Sequence, residues 1–196
     1  YAAFLDDDDH VTGHWVEAFR AGAVAAPGCV IRSQCGEQHF RYVTAPHAVA
    51  EWEATSGFSV TFGSTWNFIE HLYANRTPIH SFAVPLASVH RLGVTVDGET
   101  PILEDWGLLL RMAEVCGVHD TGEVTAIYQR WAADDRSHVV ITPDVWAACR
   151  TLVLEDLAAT PLMVPRGAAL QLVDLVDPSR GTPAFHALSP ATNNEE

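Results

Sequence analysis

Apolar residues come first in short runs and later at helical spacing, and that switch predicts strands interleaved with helices. Residues 1–5 form an apolar run closed by four acids, the pattern of a short buried strand. Residues 11–25 place Trp15, Ala18 and Phe19 at helical spacing, and Ala26-Pro27-Gly28 ends that helix. Residues 29–31 and 40–43 read as two strands with a polar turn between them. Residues 44–66 read as irregular, with Trp52, Phe58, Phe62 and Trp66 supplying aromatic character, before a short helix over 66–73 and a strand over 79–84.

The strongest helical pattern covers 103–116, where Trp106, Leu109, Leu110 and Ala113 recur at i, i+3, i+4 and i+7 and Gly117 suits the position after the helix. Residues 123–128 alternate as a strand. Thr142-Pro143-Asp144 supplies an N-cap, a proline at the first helical position and an acid in the first turn of a helix running to about residue 159. From residue 177 onward the chain is rich in Pro, Ser, Thr and Asn without periodicity, and reads as a disordered tail after a single domain over 1–176. No internal repeat is present. Strands mixed with helices point to a three-layer α/β arrangement.

The acidic run Asp6-Asp7-Asp8-Asp9 follows the first strand directly. Four adjacent carboxylates repel one another, and a hard divalent cation is their natural counter-charge. A hydrated acidic turn is the plain alternative. An EF-hand reading, with Asp6, Asp8, His10, Thr12, His14 and Glu17 as ligands, fails because Val11 stands where that loop needs glycine, and because the run leaves a strand. His10 and His14 have the spacing of a two-histidine metal pair, but Val11 occupies the place of the zincin glutamate, so they read as surface histidines.

Composition narrows the classes. At 196 residues, with 48% hydrophobic and 18% charged residues, the chain is long enough for one domain with a sizeable core. A net charge of −14 argues against nucleic acid as a partner. No apolar stretch approaches the ~20 residues of a membrane span. All 11 basic residues are arginine, which suggests a GC-rich bacterial genome. Cys29, Cys35, Cys116 and Cys149 form no C-x-x-C pair, so they read as free thiols of a reducing, cytoplasmic protein. An opening Tyr inside a core strand points to the C-terminal portion of a longer protein.

Leu103-Glu104-Asp105-Trp106 opens the strong helix, and acids in a first turn are favoured by the helix dipole alone. The opening Ala3-Phe4-Leu5-Asp6-Asp7-Asp8-Asp9, the segment Pro101-Ile102-Leu103-Glu104-Asp105-Trp106-Gly107-Leu108-Leu109-Leu110-Arg111 and the strand Val124-Thr125-Ala126-Ile127-Tyr128-Gln129-Arg130 together resemble the family 2 glycosyltransferases of the GT-A fold. The resemblance covers about residues 1–140 and corresponds to the C-terminal half of that catalytic domain. It implies a GT-A-like three-layer mixed sheet with flanking helices, lacking the N-terminal strands that bind the nucleotide.

By the resemblance, Asp6 and Asp8 are the D-x-D carboxylates. Asp8 then coordinates Mg²⁺ or Mn²⁺ on the donor diphosphate, and Asp6 lies near the ribose or sugar. Asp7 and Asp9 stay open as alternatives, because all four residues are aspartate. Asp105 is implied as the general base, kept ionised by the helix N-terminus, with Glu104 and Trp106 lining the acceptor side. His138, or else His119, is implied as a further metal ligand. Gly107 departs from the family, which commonly has Asp there, and residues 142–196 carry no assignable role. The implied activity is inverting transfer of a sugar from a nucleotide-sugar donor to an acceptor hydroxyl. The rival is a truncated or degenerate GT-A domain acting as a binding module; a calcium-binding module is a third reading.

Overall fold

A computed structural model of the protein describes residues 1–7, 9–43, 52–62, 65–93, 102–131, 142–159, 161–164, 168 and 172. The chain is a mixed α/β structure. Strands β1 (Ala2–Ala3), β6 (Phe82–Val84), β3 (Val30–Tyr42), β7 (Val118–Trp131) and β2 (His10–Val11) lie in that order across one sheet. Strands β4 (Trp52–Ala54) and β5 (Ser59–Phe62) pair with the outer half of β3. The β3–β7 pair is parallel and the others are antiparallel.

Strand β3 corrects the expectation of two strands around a polar turn. It runs unbroken for 13 residues, through Arg32, Ser33, Gln34 and Glu37. The polar residues are tolerated because neighbouring strands supply their partners: Thr125 Oγ1 donates to Ser33 Oγ at 2.6 Å, and Ser33 Oγ donates to the Ser81 carbonyl at 3.3 Å. Strand β7 likewise extends well beyond the expected 123–128, and β1 covers only two of the five residues expected.

Successive residues of β3 serve opposite faces. Val30 packs with Phe82, Val84, Leu108, Leu109 and Met112, whereas Ile31 packs with Phe19 and Ala83. Helix α1 (Trp15–Ala25) therefore covers one face and α4 (Glu104–Cys116) the other. Helix α1 begins later than the sequence suggested, because His10 and Val11 are drawn into pairing with Ile127 and Ala126. Gly22 lets it lie close to the sheet: a Cβ there would sit 2.4 Å from Ile31 Cγ2.

Helix α4 is buried on two sides, the signature of a helix inside a core. Leu108, Leu109 and Met112 face the sheet, while Trp106, Leu110 and Ala113 meet Phe68 of α2 (Phe68–Tyr73) and Cys149, Val153 and Leu157 of α5 (Pro143–Ala158). Gly117, at a φ of 67°, ends α4 as expected. The α5 start is also as read, with Thr142 Oγ1 accepting from the Val145 N–H at 3.4 Å. Helix α3 (Leu86–Leu92) was not anticipated, and the expected strand at 79–84 opens as a 3₁₀ turn over Ile79–Ser81. The expected tail from residue 177 lies outside the described residues.

Candidate active site

The acidic run is the link between the two edges of the sheet. It leaves β1, which pairs with β6, and enters β2, which pairs with β7. A turn closed by the Asp9 N–H on the Asp6 carbonyl at 3.2 Å shapes it. Asp6 and Asp7 are exposed, Asp8 lies outside the described residues, and the Asp9 side chain is only 7% exposed.

Asp9 is turned inward onto the sheet. Its Oδ2 lies 2.8 Å from His80 Nδ1, and its Oδ1 accepts from the Gln129 N–H at 3.2 Å. The His80 N–H is poorly aligned on the carboxylate, so proximity and burial give this ion pair its strength. His80 Nε2 lies 3.6 Å from Cys35 Sγ, and the His80 carbonyl accepts from Trp15 Nε1 at 2.8 Å. Burial alone would discharge the imidazole, but the contacts to Asp9 and Cys35 prevail and carry its pKa up to about 9.

Asp105 stands in the first turn of α4 and is half-buried. The helix begins there because Leu103 takes a left-handed conformation, φ 69°, while its side chain stays in the core at 7% exposure. Asp105 Oδ1 accepts from the Trp106 N–H at 2.7 Å, and Asn75 Nδ2 donates to both carboxylate oxygens at 3.2–3.3 Å. The Asp105 pKa rises to about 6, first through burial, which outweighs the Asn75 hydrogen bond, and then through the charges of Glu104 and Asp6. The expected lowering by the helix N-terminus is thus reversed: desolvation is the larger effect. The same result shows that the two acidic stretches, about a hundred residues apart in sequence, lie within electrostatic reach of each other.

A buried network supports Asp105 from behind. Asn75 Oδ1 accepts from the Thr77 N–H at 3.1 Å, and Thr77 Oγ1 accepts from Arg32 Nε at 2.7 Å. His71 Nδ1 lies 2.8 Å from the Asn67 carbonyl, so Nδ1 carries the proton and Nε2 accepts from Thr77 Oγ1, also at 2.8 Å. Burial, reinforced by Arg32 and Arg76, lowers the His71 pKa to about 3 and keeps the ring neutral. Arg32 is itself paired with Asp120 at 2.7 Å, and Asp120 Oδ2 accepts from the Trp66 N–H at 2.6 Å.

The structure thus brings Asp6, Glu104 and Asp105 into one neighbourhood and assigns Asp9 elsewhere. Trp106, expected on the acceptor side, is a core residue: it is 1% exposed and its indole N–H donates to the His71 carbonyl at 2.6 Å. His119 pairs with Ile31 and lies against Gly22, on the α1 face, away from α4. His138 lies outside the described residues. Among the described residues no three His, Cys, Asp or Glu side chains converge as a metal-ligand set.

Sequence reasoning missed Asn75, His71, Arg32 and His80. The one available signal was His80, an ionisable residue inside the apolar run of residues 79–84. No helix among the described residues is long and apolar enough to cross a membrane. Comparison with protein-family models, curated proteins and solved structures gives no match.

Proposed function

We propose that this chain carries the catalytic half of a GT-A, family 2-like inverting glycosyltransferase, which moves a sugar from a nucleotide-sugar donor to an acceptor hydroxyl. One observation carries the reading: the Asp105 carboxylate, in the first turn of α4, is held by the Trp106 N–H and by Asn75, and burial raises its pKa to about 6. A general base works best with a pKa near the operating pH, and a carboxylate at about 6 is mostly ionised at neutral pH yet basic enough to take a hydroxyl proton. Asn75 and the Trp106 N–H fix the orientation of that carboxylate. Asp6 and Asp8 would hold Mg²⁺ or Mn²⁺, which supplies charge neutralisation at the departing diphosphate. Glu104, beside the base, keeps its proton affinity high.

The test is Asp105→Asn. Sugar transfer should fall by a factor of ~100 or more, while the thermal shift given by UDP-, GDP- or dTDP-sugars with Mn²⁺ persists. The same variant should unfold within about 1 kcal/mol of wild type at neutral pH, because relief of the desolvated charge is offset by the weakened Asn75 hydrogen bond. That near-equality separates lost chemistry from a damaged fold. Wild-type turnover in Asp105→Asn would remove the base assignment, and no shift with any donor would leave the binding-module reading in its place.

A further inference from the structure

We infer that Asp9 and His80 form an anchor that positions the acidic turn, so that Asp9 holds the run in place and is not one of its cation ligands. The role of the turn as a cation site rests on the glycosyltransferase reading; the anchor itself rests on geometry. Both Asp9 oxygens are committed, one to His80 and one to the Gln129 N–H, on a side chain that is 7% exposed. To ligate an ion at the exposed surface of the turn, the Asp9 side chain would have to swing out of this inward-facing position, away from His80 and the Gln129 N–H. Asp6 and Asp7 stand exposed on the same turn.

The anchor reaches three parts of the fold. Cys35 belongs to β3, Gln129 to β7, and Trp15, which holds the His80 backbone, to α1. The turn bond from the Asp9 N–H to the Asp6 carbonyl carries that fixed position to Asp6. His80 is thus a positioning residue acting through Asp9. Among four consecutive aspartates that the sequence cannot tell apart, the fold assigns the last one a role of its own.

Single substitutions separate the roles. His80→Gln removes the ring nitrogen that faces Asp9, whereas Cys35→Ala leaves it in place and removes only the partner of Nε2. With Mn²⁺ alone as the probe, followed by electron paramagnetic resonance, Asp9→Asn and His80→Gln should each weaken binding about tenfold. The double variant should lose about the same tenfold rather than a hundredfold, since both changes cut one link. Cys35→Ala should stay within about twofold of wild type.

If Asp9→Asn abolishes binding while His80→Gln binds normally, Asp9 is a ligand and the anchor is refuted. Unchanged affinity in both single variants refutes it equally. Should wild type bind no Mn²⁺, the glycosyltransferase reading fails by itself. Amide hydrogen exchange then judges the anchor: His80→Gln, unlike Cys35→Ala, should speed exchange at the Asp9 and Gln129 amides, and equal protection in both variants overturns the proposal.

Discussion

His71 and His80 are nine residues apart and both wholly buried, yet they hold opposite charge states. His71 lies with α2 and α4, between a backbone carbonyl and a threonine hydroxyl, with Arg32 and Arg76 near enough to repel a proton. His80 lies on the α1 side, against a carboxylate and a thiol. Burial pushes both toward neutrality. What separates them is the charge of the neighbours: two guanidiniums around one ring, a carboxylate against the other. Each ring supports a different half of the candidate site, His71 from behind Asp105 and His80 beneath the acidic turn.

The His71 side depends most on Arg32. Arg32→Met leaves Asp120 without its buried partner and Thr77 without a donor, and should cost about 3–5 kcal/mol in urea unfolding. It should also let the His71 pKa rise, since one of the two repelling cations is gone. A cost below about 1 kcal/mol would mean that the network around His71 contributes little to stability.

A pH series probes both rings at once. The folded pKa of His80, about 9, exceeds its ordinary 6.5, so its contribution is complete below pH 6.5 and is lost as pH rises toward 9, up to about 3 kcal/mol. The folded pKa of His71, about 3, lies below 6.5, so its contribution is complete above pH 6.5 and is lost as pH falls toward 3. Stability should therefore peak near pH 6.5. Asp105, raised from 3.8 to about 6, contributes below pH 3.8 and loses that contribution as pH rises through 6; over that window it offsets the His71 slope, so stability should be nearly flat from pH 4 to 6. Urea midpoints from pH 4 to 9.5 should show the alkaline limb flattened in Asp9→Asn; an alkaline slope equal to wild type would place its source elsewhere.

The smallest effect belongs to the thiol. Cys35→Ala removes one partner of His80 and little volume, and should cost about 1 kcal/mol. NMR titration should show the His80 pKa falling by less than it does in Asp9→Asn. An equal fall would make the thiol as important to the charge as the carboxylate.

The elements that could be read from sequence are those with self-contained signals. Trp106, Leu109, Leu110 and Ala113 repeat at helical spacing, and Thr142-Pro143-Asp144 carries its own start, so α4 and α5 were legible. Strand β3 was not, because Arg32, Ser33 and Glu37 look like turn residues until Asp120, Thr125 and Arg130 are placed beside them by long-range pairing. Helix α3 is seven residues long, too short for a periodic signal. The same division runs through the site. The acidic run and Asp105 announce themselves by charge, whereas Asn75, His80 and Cys35 acquire meaning only from what the fold sets against them.

Leu103 ties two demands to one residue. Glycine would relieve its left-handed backbone, worth about 1–2 kcal/mol, but would forfeit a buried side chain and leave a cavity, worth about 2–5 kcal/mol, and would add freedom to the unfolded chain. Leu103→Gly should therefore melt below wild type even though the strain is gone. It would also put a hinge two residues before Asp105, and a carboxylate that swings is a different instrument from one held still. The side chain that strains this backbone is also the one that keeps the start of the helix rigid.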